Sequence, residues 1–218
     1  DVMHAKRNFY FVMEYAGERN LYSFLKGLPR LDLDAAQNCM QQISGGVVYC
    51  HRCCVAHRDL KPKNIVVKED GGSTLHLKIV DFGCAAPAKQ MCDDVAGTMP
   101  FIAPEVILTD RHNPTLADTW ACGGVLLEMT CCIDFISYML KLPISPEGSL
   151  VTERQIANFF ATSRNLQTHV EAELGSIDKD LFVLLWGLLA GVPEERWDAE
   201  KMDGCAWHNA VGQPADKM

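Results

Sequence analysis

Two short stretches carry the residue types that could do chemistry. One is His57-Arg58-Asp59-Leu60-Lys61-Pro62-Lys63-Asn64; the other is Asp81-Phe82-Gly83, with Asp81 lying 22 residues beyond Asp59. Asp81 and Asn64 offer hard oxygen donors of the kind Mg²⁺ takes, usually as a bridge to phosphate. Asp59 is a carboxylate that could accept a proton from an attacking hydroxyl. Lys61 is a cation that could neutralise charge on a transferred group. Together these residues suit phosphoryl transfer.

The elements that must position them can be read from periodicity. Before the first stretch, Ala36, Met40, Ile43, Val47 and Cys50 recur at spacings of four and three, one face of an amphipathic helix. Asp34 with Gln37 resembles a capping box at its start. Gly45 and Gly46 lie inside that helix and should each cost about 1 kcal/mol of propensity, which packing must offset. Between the two stretches, residues 65–67 and 75–80 are strand-like and flank the turn-rich residues 68–74, so a hairpin is expected. Residues 8–15 read as a strand, and a short polar helix near residues 20–26 follows, ended by Gly27 and Pro29. Residues 118–129 read as a buried helix. Leu181, Leu184, Leu185 and Leu188 form another apolar helical face. Residues 133–178 show no dominant period. The expected class is α+β, mostly helical, with a small hairpin between two loops.

Composition bounds the rest. The 218 residues are 48% hydrophobic and 22% charged, enough to build a real core. The formal charge of −8 disfavours a nucleic-acid-binding module, which should carry a basic face. The longest apolar run, residues 181–192, is too short for a membrane helix, and no signal segment opens the chain. No nucleic-acid or membrane partner is therefore expected. The chain starts at Asp1, so a fragment or processed product is expected. Ten cysteines without a signal peptide read as reduced thiols of a cytoplasmic or nuclear protein. Cys50 and Cys53 form a CxxC, but a structural zinc site wants two such pairs. Small apolar side chains at a helix end is the plainer reading.

The two stretches, followed by Ala103-Pro104-Glu105 a further 24 residues beyond Asp81, resemble the catalytic loop, metal loop and activation-segment end of the eukaryotic protein kinases. One such motif alone would mean little; three in register are specific. The resemblance implies a kinase-like fold and transfer of the ATP γ-phosphate to a protein Ser or Thr. In that reading Asp59 orients or deprotonates the acceptor hydroxyl, Lys61 steadies the γ-phosphate, Asn64 and Asp81 hold Mg²⁺, and Thr98 shapes the acceptor site. Residues 11–16 resemble the hinge strand, with Met13 as gatekeeper and the Glu14 carbonyl and Ala16 amide facing adenine. Leu21 and Val66 would lie under the purine ring. Asp118 would tie down the catalytic-loop backbone, Arg196 would pair with Glu105, and His57 would stack with Phe82. Lys61 and Gly97-Thr98 resemble the serine/threonine class. The hinge and the residues around the first two motifs resemble the calcium/calmodulin-dependent group.

The chain also departs from the family pattern. Nothing before the hinge supplies the glycine-rich loop or the strand lysine. Residues 1–15 are thus expected to be the end of the N-lobe sheet plus hinge strand, and residues 16–218 the C-lobe. The rest of the N-lobe is expected upstream in the parent polypeptide, and the isolated chain should bind ATP poorly. The alternatives are a non-catalytic scaffold or pseudokinase and, more distantly, a small-molecule phosphotransferase. Residues 84–96 contain no Ser, Thr or Tyr, and Asp94 stands near where related kinases carry a regulatory phosphate. It either mimics that phosphate by pairing with Arg58 or belongs to a solvated loop. Asn20 and Lys63 stand where basophilic relatives carry glutamates, so no preference for arginine three residues before the acceptor is expected. The stretch from Trp120 to Asp180 is about fifteen residues longer than is common in the family and is either a docking region or a loop without function. Cys84, beside the metal loop, is either a reactive thiol or packing.

Overall fold

The computed structural model describes residues 2–69, 75–139, 150–162, 165–174 and 178–209. Strands β1 (Val2–Ala5) and β2 (Asn8–Phe11) form an antiparallel pair with Val2 opposite Phe11. The strand expected over residues 8–15 stops at Phe11, because β1 is only four residues long and pairing ends with it. Phe9, Phe11, Met13 and Tyr15 are each more than half exposed. Strand β3 (Arg19–Asn20) leads into helix α1 (Leu21–Leu25), capped where Asn20 accepts a hydrogen bond from the Ser23 amide at 2.9 Å.

Helix α2 (Leu33–Arg52) starts earlier than the expected capping box. Asp32 is the cap and accepts from the Ala35 amide at 2.8 Å. Gln37 does not reach back to the helix start; it is buried and donates to the Trp207 carbonyl. A side chain that finds a tertiary acceptor no longer serves a local cap. Ala36, Met40, Ile43 and Val47 are buried as the period requires, while Cys50 is half-buried.

After strand β4 (Val55–Ala56) comes a 3₁₀ turn (Pro62–Asn64), then the hairpin of β5 (Ile65–Glu69) and β6 (Leu75–Ile79), with Ile65 opposite Ile79. The central part of the turn expected between them lies outside the described residues. Strand β3 joins the far side of β5, giving the order β3-β5-β6. Helix α2 lies against β6. Gln42 bonds both the Leu75 carbonyl, at 2.7 Å, and the Leu77 amide, at 2.9 Å, so a side-chain amide occupies the strand edge. A Cβ on Gly46 would come within 3.0 Å of Ile79 Cδ1, which accounts for a glycine where helix propensity disfavours one.

Strand β7 (Ala86–Pro87) pairs with β4. Helix α3 (Pro104–Leu108) then leads to helix α4 (Pro114–Thr130), whose residues are nearly all buried. Residues 133–178 contain helices α5 (Phe135–Met139), α6 (Leu150–Thr162) and α7 (Asn165–Leu174), where no period had been evident. Helix α6 packs on α3. Leu181, Leu184, Leu185 and Leu188 of helix α8 (Lys179–Leu188) have no exposed surface and pack on α4. Helices α9 (Ala199–Asp203) and α10 (Ala206–Asn209) close the bundle against α2. This is an α+β fold, mainly helical. No helix among the described residues is long and apolar enough to cross a membrane.

Glu128 on α4 is buried and accepts hydrogen bonds from the Asp134 and Ile136 amides. Burial raises its pKa to about 7 from 4.5. The folded chain therefore holds this proton more tightly than the unfolded chain. Its contribution to stability is full below pH 4.5 and is lost as pH rises through about 7. Glu128→Gln is expected to flatten that part of the stability–pH profile, measured by urea unfolding across pH 4.5–8. An unchanged slope would show that other groups set it.

Candidate active site

The loop after β4 is held from below by a buried carboxylate. Asp118 on α4 accepts from the Arg58 amide at 2.7 Å, from the His57 amide at 2.8 Å, and from His51 Nε2 at 2.8 Å. A carboxylate only 1% exposed needs such donors to offset its lost hydration. The bonds hold Arg58 in the left-handed region, at φ 67°. A non-glycine residue stays there only when its surroundings over-determine it. His57 Nδ1 accepts from the Asp59 amide at 3.2 Å, and its Nε2 donates to the Val80 carbonyl at 3.0 Å. This one ring ties the first loop to the second. Phe82 sits against it, ring centroids 4.8 Å apart and tilted by 56°.

The polar side chains then converge. Lys61 Nζ lies 2.7 Å from Asp59 Oδ2 and 2.7 Å from Thr98 Oγ1, and the Thr98 hydroxyl donates to Asp59 Oδ1 at 2.8 Å. Asn64 Nδ2 donates to the Asp59 carbonyl at 2.9 Å and to Asp59 Oδ2 at 3.0 Å. Both Asn64 amide protons are engaged this way, which leaves Oδ1 as its donor atom for a cation. The Val80 amide donates to the Asn64 carbonyl at 2.9 Å, so Asp81 leaves the hairpin directly beside Asn64. Asp81 has φ 66° and an exposed carboxylate, whose Oδ1 also accepts weakly from the Gly83 amide at 3.3 Å. An exposed carboxylate one residue beyond the Val80–Asn64 backbone bond, together with an oriented Asn64 side chain, offers the oxygen donors that a hard divalent cation takes while keeping water or phosphate as its other ligands.

The nucleotide-side expectations divide. Val66 is half-buried, and Gly17 passes so close that a Cβ would lie 3.0 Å from Val66 Cγ1 and 2.5 Å from the Val67 carbonyl oxygen. Ala16 is half-buried on the same approach. Leu21 must be corrected: as the first residue of α1 it is completely buried in the core, so a ring laid here could touch Val66 but not Leu21. The Glu14 side chain pairs with Lys78 on β6, which holds its carboxyl below the usual range. An apolar groove of about 500 Å³ lies between α2 and β6 and reaches Phe82, but it includes none of Asp59, Lys61, Asn64 and Asp81.

Two structural anchors match expectation. Asp118 holds the loop backbone, and Arg196 meets Glu105 with both nitrogens, one contact at 2.9 Å. Two others carry little sequence signal. His51 completes the ligation of Asp118 from the last turn of α2, visible only as a histidine near a helix end. Cys92 and His112 exchange two backbone hydrogen bonds of 2.9 Å, which leave no trace in side-chain type. Cys53 and Cys54 are exposed at the helix end.

The family profile described as "Protein kinase domain" matches residues 1–207. CBL-interacting protein kinase 28 of Oryza sativa subsp. japonica is 30% identical over 213 residues, covering 95% of this chain and 44% of the relative. CBL-interacting protein kinase 12 of the same species is 40% identical over 164 residues, covering 72% and 28%. CBL-interacting serine/threonine-protein kinase 18 of Arabidopsis thaliana is 39% identical over 135 residues, covering 59% and 25%. The chain thus spans less than half the length of each of these relatives.

Proposed function

The chain belongs to the protein kinase family, and on that footing we propose that it forms most of a serine/threonine kinase catalytic unit. Residues 1–15 would be the end of one lobe's sheet with the hinge strand, and residues 16–218 the helical lobe. The reaction is transfer of the terminal phosphoryl group of ATP to a Ser or Thr hydroxyl of a protein. The observation that carries the reading is the sharing of the Asp59 carboxylate among Lys61, Thr98 and Asn64.

Each residue has a role in that reaction. As the acceptor oxygen bonds to phosphorus, the bond to the leaving diphosphate breaks and the hydroxyl proton passes to the Asp59 carboxylate. Thr98 and Asn64 fix the direction of that carboxylate. Lys61 supplies positive charge beside it. Asp81 and Asn64 would hold Mg²⁺, which when bound neutralises phosphate charge. Ala16, the Glu14 backbone and Val66 would line the base. The hinge and catalytic-loop resemblance to the calcium/calmodulin-dependent group fits the relatives found. A reducing cytoplasmic or nuclear setting accords with a chain of ten cysteines, several of them buried.

The reading is tested by incubating the full-length protein with labelled ATP, Mg²⁺ and mixed Ser, Thr and Tyr peptides. Label on Ser or Thr supports it; none, with ATP bound, favours a scaffold. Specificity gives a second check. Lys63 Nζ sits 5.0 Å over the Tyr22 ring, and Asn20 is spent on capping α1. Neither offers a negative charge to a substrate arginine. A positional peptide library should show no enrichment of arginine three residues before the acceptor. Lys63→Glu should introduce about a threefold enrichment, the scale of a partly exposed ion pair. An arginine preference in the unmodified protein would contradict this.

A further inference from the structure

Helix α10 is a single turn, so its carbonyls have no acceptor role inside the helix and must be met from outside. Helix α2 meets two of them with side chains. Gln37 donates to the Trp207 carbonyl and Gln41, one turn on, donates to the His208 carbonyl. A further turn along, the Ser44 hydroxyl donates to Asp203 Oδ1 at 2.7 Å and ties down the end of α9. Under this clasp Trp207 and His208 are both buried, at 2% and 4% exposure.

One group inside the clasp is left over. His208 Nδ1 lies 3.1 Å from the Asp203 carbonyl, which can only accept, so Nδ1 carries the ring proton. Nε2 is then a bare acceptor. Among the described residues it is the buried side-chain nitrogen that has no hydrogen-bond partner. A proton on Nε2 would create a charged N–H in the same place, buried and with no acceptor. The elements packed against α10 supply little to offset that. Helix α2 carries its charged and titratable histidine, arginine and carboxylate groups at its ends, as Asp34, His51 and Arg52, and α8 carries Lys179 and Asp180 in its first turn. Helix α9 carries Glu200, Lys201 and Asp203, and the turn after it holds the buried thiol of Cys205, whose pKa is raised by burial. Burial lowers the pKa of His208 from 6.5, and the carbonyl and carboxylate of Asp203 only partly oppose this.

We propose that α10 is a proton-operated latch: it stays docked on α2 while His208 is neutral, and a proton taken from solvent by Nε2 releases it and uncovers Trp207. The sign follows from the two states. The open segment takes up the proton near pH 6.5 and the docked one only at lower pH, so docking is strongest above 6.5 and weakens as pH falls below it. The latch is independent of the kinase reading, because neither α10 nor its contacts include a residue of the candidate active site.

The test uses full-length protein with carbon-13-labelled histidine. The ring signal of His208, assigned by its absence in His208→Leu, should titrate below the ordinary value of 6.5. Amide exchange across residues 203–209 is then measured at about pH 7.5 and about pH 5.5 and corrected for the intrinsic pH dependence of exchange. Protection in the unmodified protein should fall about tenfold at the lower pH, the modest end of what a stranded buried donor costs. His208→Leu should keep its protection at both values. Gln41→Met, which opens the clasp and leaves the imidazole, should lose protection at both. If His208→Leu does not fold, His208→Gln, neutral at both values, takes its place. A His208 signal titrating at 6.5 or above, or an acid loss of protection equal in the unmodified protein and the His208 variant, would overturn the proposal.

Discussion

Asp59→Asn in the full-length protein is expected to lower kcat by about a thousandfold, within the range attributed to a positioned general base, while KM for ATP changes little. The carboxylate is the meeting point of three donors: Lys61 at 2.7 Å, Thr98 at 2.8 Å and Asn64 at 3.0 Å. A carboxamide of the same shape can accept on one side only. Its amide group faces either the Lys61 and Asn64 donors or the Thr98 hydroxyl, which can accept as well as donate, and the neutral carboxamide has no carboxylate oxygen left to take the proton. The substitution thus removes the proton acceptor and loosens the cation beside it. Thr98→Ala, which removes one orienting bond and leaves the carboxylate intact, should cost far less, about tenfold. The split between the two is read from steady-state kinetics with a Ser peptide. A loss under tenfold for Asp59→Asn would mean that another group takes the proton.

Arg196→Met is expected to destabilise the fold by about 3–5 kcal/mol, the range for removing one partner of a buried ion pair. The Arg196 side chain has no exposed surface and that of Glu105 is 5% exposed. The guanidinium also donates to the Leu116 and Ala190 carbonyls, both at 3.0 Å, and lies 5.0 Å over the Trp120 ring. Removing it strands a buried carboxylate and unmakes two backbone bonds. The double variant Arg196→Met, Glu105→Leu should recover part of the loss, because the stranded charge goes with its partner. Thermal and urea unfolding measure both. A single-variant loss below about 1 kcal/mol would place the pair among those of surface strength. Glu105 lies in the first turn of α3, where the loop carrying Thr98 ends, so the same pair bears on the acceptor side of the site.

What was legible in the sequence was whatever side-chain type and spacing encode. The polar residues of both loops and the buried faces of α2 and α8 fall in this class, whereas the roles of Asp118 and Arg196 were implied by the resemblance to the kinase family. The rest was hidden for identifiable reasons. The Asp34–Gln37 capping pattern is a local rule, and it lost to a tertiary bond between Gln37 and the Trp207 carbonyl. The strand over residues 8–15 looked longer than it is because propensity runs on where the partner strand stops. Helices α6 and α7 carry an apolar repeat, with Ile156 and Phe160 and then Leu166, Val170 and Leu174 buried at spacings of four, but each run is too short to stand out from the polar residues around it. Leu21 has the size of a ligand-floor residue, but its depth depends on the placing of α1. The Cys92–His112 link is made of backbone atoms alone, and no residue type marks it.

The account divides the site into a proton-handling half around Asp59 and a cation-holding half around Asp81. The Mg²⁺-dependent increment in ATP affinity of the full-length protein, measured by titration calorimetry, separates them. Asp59→Asn should keep the increment although it has lost turnover, and Asp81→Ala should lose it. An increment untouched by Asp81→Ala would contradict the account, because the cation would then be held elsewhere.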